Sequence, residues 1–339
     1  MNVKINYNSS SPITSAKDNK WKFIDELYFE RFTKVSLYRN KKYKYYGALK
    51  QYIKTNISKD YLKKKIVYIE NEIKINKMLN GIPNIVPLWF YYETNKEFGL
   101  MTKYMNGGTL LNIMFDYKSE FDIIHDIIYP LLTTIRFLHK NNIVHRDLKP
   151  ANLFIHNKKL YVGDFGYSYV INKPCNLPDK VVGTIQYMAP ELLENYLEFN
   201  KSFNYSFEID IWSIGIILYE LIFHMKPFGW SNYRNICVEN PCNPIFIRKC
   251  INNNLKIDKN KISEDCEDFL KKCLHKDPRK RYTIKKLLEH KWISKYLNKI
   301  NDYNSKCHQE VLQTPMNRHS NSGKQVVRMC CWKNHSSIY

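Results

Sequence analysis

The spacing of apolar side chains changes period along this chain, and each change marks an element. Residues 21–50 alternate as strands do, with a turn signalled by Asn40-Lys41-Lys42. Residues 60–79 bring apolar positions round at helical intervals and predict one helix, and alternation resumes as strands over 85–104. Leu131, Leu132, Ile135 and Leu138 mark a helix packed on one face. The most apolar run, 211–223, is too short to span a bilayer and contains Glu220, so it predicts a helix buried inside a domain. Residues 1–18, rich in Asn and Ser, predict a loose tail. Residues 231–258 read as an Asn-rich loop, and the chain is polar and patternless from about 298 until Met329-Cys330-Cys331-Trp332. No internal repeat is visible.

Chemistry concentrates in Ile143-Val144-His145-Arg146-Asp147-Leu148-Lys149-Pro150-Ala151-Asn152 and in Asp164-Phe165-Gly166. Asp147, Lys149, Asn152 and Asp164 place two carboxylates, an ammonium and an amide within a span that folding can bring to one point. Phosphoryl transfer needs such a set: a carboxylate to orient a hydroxyl, oxygen ligands for Mg²⁺ and a cation for the moving charge. The two motifs, in this order, resemble the catalytic loop and Asp-Phe-Gly segment of eukaryotic protein kinases.

Further stretches resemble that family in its own order. Ala48-Leu49-Lys50 is similar to the strand that carries the nucleotide lysine, and Glu72 stands where the family keeps the glutamate that pairs with it. Met101-Thr102-Lys103-Tyr104-Met105-Asn106-Gly107-Gly108 resembles the hinge, with Thr102 at the gatekeeper place and backbone groups of Lys103 and Met105 facing the adenine. The end of the activation segment is matched by Gly183-Thr184-Ile185-Gln186-Tyr187-Met188-Ala189-Pro190-Glu191. Asp210-Ile211-Trp212-Ser213-Ile214-Gly215 resembles the start of the central helix, and Glu191 with Arg281 resembles the family's buried ion pair. Against that pattern, 192–206 reads as a surface insertion.

The resemblance implies an α+β bilobal protein-kinase fold: a small, mainly β N-lobe with one regulatory helix, and a larger, mainly α C-lobe. The expected organisation is a flexible tail over 1–20, a kinase domain over 21–297 (N-lobe 21–103, C-lobe 107–297) and a polar tail over 298–339. The implied activity is transfer of the γ-phosphoryl group of ATP to protein serine or threonine hydroxyls, with Mg²⁺, or Mn²⁺ in its place. Asp147 would accept the substrate proton, Lys149 steady the transferred group, and Thr184 reach both. Asn152 and Asp164 would hold the metal. Leu27, Val35, Ala48, Lys50, Glu72, Thr102, Lys103, Met105 and Asp164 would form the nucleotide site. Lys149 and Thr184 mark the serine/threonine class, and Ala151, with only a methyl group, argues against a strong preference for an upstream arginine.

One departure matters. The family's phosphate lid reads Leu-Gly-x-Gly-x-Phe-Gly-x-Val; here it is Leu27-Tyr28-Phe29-Glu30-Arg31-Phe32-Thr33-Lys34-Val35, with every glycine replaced. Glycine lets backbone N–H groups approach phosphate closely. Glu30 adds repulsion of about 3 kcal/mol for like charges ~5 Å apart at an effective dielectric near 20, part of which Arg31 would offset by turning inward. Asn76 is polar where the family places an apolar spine residue, whereas Leu88, His145 and Phe165 fit that spine. A kinase-like scaffold without catalysis is therefore the alternative to an active kinase. The segment Ile171–Gly183 offers no Ser, Thr or Tyr for phosphorylation, and Asp179, beside Lys180, would supply standing negative charge to Arg146.

Composition adds less. A chain of 339 residues, 44% hydrophobic with 11 Gly and 13 Pro, has material for a large core and is not composed like a disordered one. The formal charge of +21 follows the general abundance of lysine, with Lys63-Lys64-Lys65 the longest run. Nucleic acid is not indicated as a partner; protein substrates and ATP are, and the charge is compatible with weak association to anionic surfaces. The nine cysteines lack paired metal spacing. Without a secretory signal pattern they read as reduced thiols, and the expected location is intracellular, cytoplasmic or nuclear.

Overall fold

A computed structural model describes residues 4–7, 20–30, 32–55, 58–171, 181–197, 206–230 and 243–300. The chain divides into units Met1–Tyr296 and Leu297–Tyr339, and of the second only helical residues 297–300 are described. The first unit begins with a six-stranded antiparallel sheet of β1 (Lys4–Tyr7), β2 (Trp21–Glu30), β3 (Thr33–Asn40), β4 (Tyr46–Ile53), β5 (Leu88–Glu93) and β6 (Glu97–Lys103), in the order β1-β5-β6-β4-β3-β2. The signalled turn is present: Asn40 Oδ1 accepts the N–H groups of Lys42 and Tyr43, each at 3.0 Å, as asparagine does in tight turns.

Helix α1 (Lys59–Met78) starts at Ser58, whose side chain caps the Tyr61 N–H. It covers one face of the sheet through Ile69, packed with Leu88, Phe98 and Leu100. The other face carries Leu49, Phe90, Tyr92 and Met101, with Trp21, Tyr38, Tyr45 and Trp89 against them. Apolar cover therefore lies on both sides of the sheet at β4, β5 and β6, one helical and one aromatic, whereas β2 is exposed from Lys22 to Glu30.

Short helices α2 (Leu110–Ile113) and α3 (Glu120–Ile123) lead through a widened turn to α4 (Tyr129–Lys140), whose Leu131, Leu132, Ile135 and Leu138 are all fully buried. Then come β7 (Ile143–Val144), β8 (Leu153–His156), β9 (Lys159–Val162) and β10 (Tyr169–Val170); β7 pairs with β10 and β8 with β9. Val86 N–H donates to Val162 O at 3.0 Å and Val162 N–H to Asn84 O at 2.8 Å, which ties the strand-rich part to β9. Further helices are α5 (Pro190–Leu197), α6 (Glu208–Phe223), α7 (Pro244–Asn252), α8 (Glu264–Cys273) and α9 (Ile284–Leu288), and residues 291–296 are helical as well. As the apolar run implied, α6 is buried along nearly its whole length and stops at His224 in the left-handed conformation. No helix among the described residues is long and apolar enough to cross a membrane.

Three expectations need correction. Lys4–Tyr7, assigned to the loose tail, pairs with β5 from Lys4 opposite Glu93 to Tyr7 opposite Phe90; its polar–apolar alternation is a strand pattern only four residues long. The insertion read over 192–206 begins inside α5, where Leu192 and Leu193 are buried, and 198–205 lie outside the described residues. The loop read over 231–258 contains α7, capped by Asn243 with Pro244 in its first turn and anchored by buried Ile247 and Cys250.

Arg281 fixes the helical part of the molecule. Its five N–H groups are all engaged: two bind Glu191 at 2.6 and 2.7 Å, and the others reach His275 O, Glu208 O and Lys276 O. Its side chain is fully buried and lies over the Trp212 ring at 5.0 Å. Removing one partner of such a pair leaves an uncompensated buried charge. Arg281→Ala is expected to cost about 3–5 kcal/mol in denaturant unfolding, and a midpoint equal to that of wild type would show that the pair does not hold the fold.

Candidate active site

The site begins with one carboxylate at the buried start of α6. Asp210 Oδ2 accepts the His145 N–H at 2.9 Å and faces His139 Nε2 at 2.9 Å, while Oδ1 accepts the Arg146 N–H at 3.0 Å. Sitting in the first turn of a helix, it is also favoured by the helix dipole. Burial pushes the Asp210 carboxyl up, but the hydrogen bond from His139 and the charges of His139 and His145 outweigh it and hold the group below its ordinary value. These bonds fix Arg146 at φ 68°, a left-handed conformation uncommon for a side chain of this size. The loop therefore turns sharply just before Asp147.

Three side chains then meet around Asp147. Thr184 Oγ1 donates to Asp147 Oδ1 at 2.8 Å, and Lys149 Nζ donates to Thr184 Oγ1 at 2.8 Å and lies 2.9 Å from Asp147 Oδ2. Asn152 Nδ2 donates to Asp147 O at 2.8 Å and Oδ2 at 3.0 Å. With both amide hydrogens engaged, Asn152 Oδ1 remains as an acceptor. Gly183 admits Thr184 to this cluster: its φ is +114°, and a Cβ there would come within 2.5 Å of Arg146 O.

The second constellation joins both parts of the fold. Lys50 Nζ on β4 donates to Glu72 of α1 at 3.0 and 3.3 Å and to Asp164 Oδ1 at 3.1 Å. Tyr52, two residues along β4, donates its hydroxyl to Glu72 Oε2 at 2.6 Å. Burial works against the Lys50 ammonium, but Asp164 and then Glu72 overcome it and raise the group well above its usual value. Burial likewise pushes Asp164 up, and Lys50 more than reverses this, leaving Asp164 below the ordinary carboxylate value. Glu72 is left raised, burial exceeding the pull of Lys50. Gly163, just before Asp164, is held by its N–H to Asn152 O and its carbonyl to the His145 ring, each at 3.1 Å, so the two constellations share one support.

The other nucleotide-site residues fall around this cleft. Ala48 pairs with Thr102, whose hydroxyl donates to Ala48 O at 3.3 Å. At the hinge, Lys103 N–H donates to Pro87 O and Met105 O accepts from Gly108 N–H, so these two backbone groups already have partners. The ring of His145 lies 5.2 Å from that of buried Phe165, and Leu88 is also buried. Asn76, polar in this spine, donates to Glu72 O at 2.8 Å.

The lid lies in the paired strands β2 and β3, whose register is regular from Tyr28 to Glu30. Tyr28 pairs with Val35, Val35 with Lys50 and Lys50 with Leu100, one cross-strand row whose side chains share a face. Glu30 pairs with Thr33 on the same face. Tyr28 and Glu30 therefore stand on the Lys50 side of the sheet, and the Tyr28 hydroxyl donates to Glu30 Oε2 at 2.7 Å. Leu27 sits in an irregular step of the β2–β3 pairing and is 43% exposed. Arg31, Asp179 and Lys180 lie outside the described residues, and with them the offset expected of Arg31 and the standing charge expected of Asp179.

Tyr52 and Asn71 were missed in the sequence. Tyr52 lies two residues beyond Lys50 and so on its face of the strand; Asn71 adjoins Glu72 and donates to Ser168 O at 2.7 Å. Asp210 was placed at the helix start but not recognised as the support of the loop.

The family model for the protein kinase domain matches residues 30–293. The chain is 34% identical over 262 residues to calcium-dependent protein kinase 14 of Arabidopsis thaliana, covering 75% of this chain and 45% of that protein. It is 31% identical over 265 residues to the Aurora kinase of Saccharomyces cerevisiae, with 78% and 66% covered. With calcium-dependent protein kinase 4 of Plasmodium falciparum it shares 30% over 293 residues, with 84% and 51% covered. The chain thus spans about half to two thirds of the length of these relatives.

The depressed Asp210 carboxyl ties stability to pH. A group held lower in the folded state stabilises it fully above its unfolded value, and that contribution is lost as pH falls through the folded value. Denaturant midpoints should therefore fall as pH drops from about 5 to about 3. Asp210→Asn should be less stable at neutral pH and show a flatter dependence across that window; parallel curves would remove Asp210 from the acid response.

Proposed function

Because this chain belongs to the eukaryotic protein kinases of the serine/threonine class, we propose that it transfers the γ-phosphoryl group of ATP to serine or threonine hydroxyls of protein substrates. The observation that carries this reading is the convergence of Thr184, Lys149 and Asn152 on Asp147, beside an Asp164 carboxylate held by Lys50. An incoming alcohol at Asp147 finds a buried carboxylate to orient it and take its proton. Lys149 stands beside that carboxylate to steady negative charge on the transferred group, and Lys50 holds the nucleotide phosphates. Thr184, bonded to both Asp147 and Lys149, fixes their separation and suits a short aliphatic hydroxyl acceptor. Positioning and electrostatics lower the barrier, with little covalent work for the protein.

The residues also fit Mg²⁺. Asp164, with its side chain 40% exposed, and Asn152 Oδ1 offer hard oxygen donors. Among the described residues no group of three or more His, Cys, Asp or Glu forms a metal cage; Mg²⁺ carried with a nucleotide needs only one or two carboxylates beside the phosphates. Bound there, it would neutralise phosphate charge, and Asp164 and Asn152 would hold it.

A kinase-like scaffold is the second reading, and the lid favours it: Tyr28 and Glu30 occupy the space that glycine leaves open. Glu30 is solvent-facing, so screening reduces its repulsion well below the value for a buried pair. The complete set of Lys50, Glu72, Asp147, Asn152 and Asp164 favours the active kinase.

Turnover of Mg²⁺-ATP on a generic protein substrate separates the two. Wild type should transfer phosphate, Lys50→Met and Asp147→Asn should lose transfer by about a thousandfold, and Asp147→Asn should retain nucleotide binding in a thermal shift. Wild-type turnover no greater than that of Asp147→Asn would establish the scaffold. At the lid, Glu30→Gln should tighten nucleotide binding about three- to tenfold at low salt and less at high salt; unchanged affinity would place Glu30 away from the phosphates.

A further inference from the structure

The Glu72 carboxylate is buried and held by two residues of one strand. Lys50 and Tyr52 leave β4 on the same face, toward α1. The ammonium reaches both Glu72 oxygens, and the phenol donates to one of them at 2.6 Å. The same ammonium binds Asp164 and lies 5.2 Å from the centre of the Tyr52 ring. One cation therefore answers two carboxylates, and a triphosphate would bring more negative charge to the same point. As Lys50 turns toward phosphate, Glu72 loses part of its partner while remaining buried, where an unpaired carboxylate is costly.

We propose that Tyr52 is a positioning residue whose hydroxyl keeps Glu72, and with it α1, docked while Lys50 engages the nucleotide. This rests on the kinase reading and adds a residue to it. Burial, and then the Glu72 charge, push the Tyr52 phenol well up, so it stays a donor at any pH the protein meets. Neighbouring contacts pin the same turns of α1. Asn71 Nδ2 donates to Ser168 O at 2.7 Å, and the Tyr68 ring lies 5.3 Å from that of Tyr167. Asn76, one turn beyond Glu72, donates back to Glu72 O. The helix is thus latched to the sheet by Tyr52 and to the segment after Asp164 by Asn71, through neutral donors that do not compete for phosphate.

The test uses the full chain, Mg²⁺-ATP and a generic protein substrate, with hydrogen exchange of residues 59–78 read in parallel. Tyr52→Phe removes one oxygen and keeps the ring. It should lower kcat/KM for ATP about tenfold and speed exchange in α1 with nucleotide bound. In a Glu72→Ala background the same change should add little further loss, because the hydroxyl then has no carboxylate to hold. An equal loss in both backgrounds, or no change in turnover and exchange, overturns the proposal. Glu72→Gln keeps an oxygen for the hydroxyl and should retain slower exchange in α1 than Glu72→Ala. Equal exchange in those two variants overturns it whether or not Tyr52→Phe folds. The exchange measurements decide the latch even if wild type proves inactive, so the failure of one reading is distinct from the failure of the other.

Discussion

A single ammonium shared by two carboxylates sets the geometry on which the rest of the site depends. Lys50 comes from the sheet, Glu72 from α1 and Asp164 from the segment after β9, so their contacts define how these three parts lie together. The charges do not balance: two anions face one cation. The opposite shifts reflect this, with Lys50 raised, Asp164 lowered and Glu72 raised because burial outweighs its share of the lysine. Such a cluster is held by its surroundings rather than by mutual attraction alone, since desolvation takes back much of the Coulomb gain in a buried pair. Tyr52 supplies that support with a neutral hydroxyl, and Asn152 O and the His145 ring supply it by holding Gly163 beside Asp164.

The helical part contributes rigidity. Three partners surround Asp147 as an array of donors fixed by their own mutual bonds, and such an array needs little rearrangement when charge develops. Two residues beside this array, Arg146 and Asp164, have left-handed backbones, at φ 68° and 58°. Strain of that kind persists only where neighbouring bonds over-determine it. Here the bonds are the two from Asp210 to the loop and the clamp on Gly163, and Asp210 rests in turn on the buried helix α6.

Sequence spacing made the short-range chemistry legible. Asp147, Lys149 and Asn152 sit within one loop, and strands β2 to β6 with α1, α4 and α6 were announced by periodicity over many residues. Elements whose signal was short or diluted were missed. β1 offers only four alternating residues, and α7 carries a proper Asn243 cap and Pro244 start inside an Asn-rich stretch that reads as loop. Contacts between distant elements were legible only where the family resemblance named both partners, as for Glu191 with Arg281. Tyr52 and Asn71 had no such guide. Whether a tyrosine on a strand meets a glutamate on a helix depends on register and docking, which no local pattern encodes.

In the lid, side chains replace glycine without breaking the sheet. Pairing continues from Tyr28 opposite Val35 to Glu30 opposite Thr33, so the strands present side chains at positions the family fills with glycine. A glycine lid offers N–H groups to phosphate; this one offers a phenol and a carboxylate on the face of Lys50, bonded to each other. The Tyr28 hydroxyl has a single proton to donate. Glu30 and a phosphate oxygen therefore compete for it, and whichever wins leaves the other anion less satisfied. A lid built this way contributes less net attraction than backbone donors would, which moves the grip on the nucleotide toward Lys50. The more the grip depends on that one ammonium, the less of it remains for Glu72, and the more the docking of α1 falls to the uncharged hydroxyl of Tyr52.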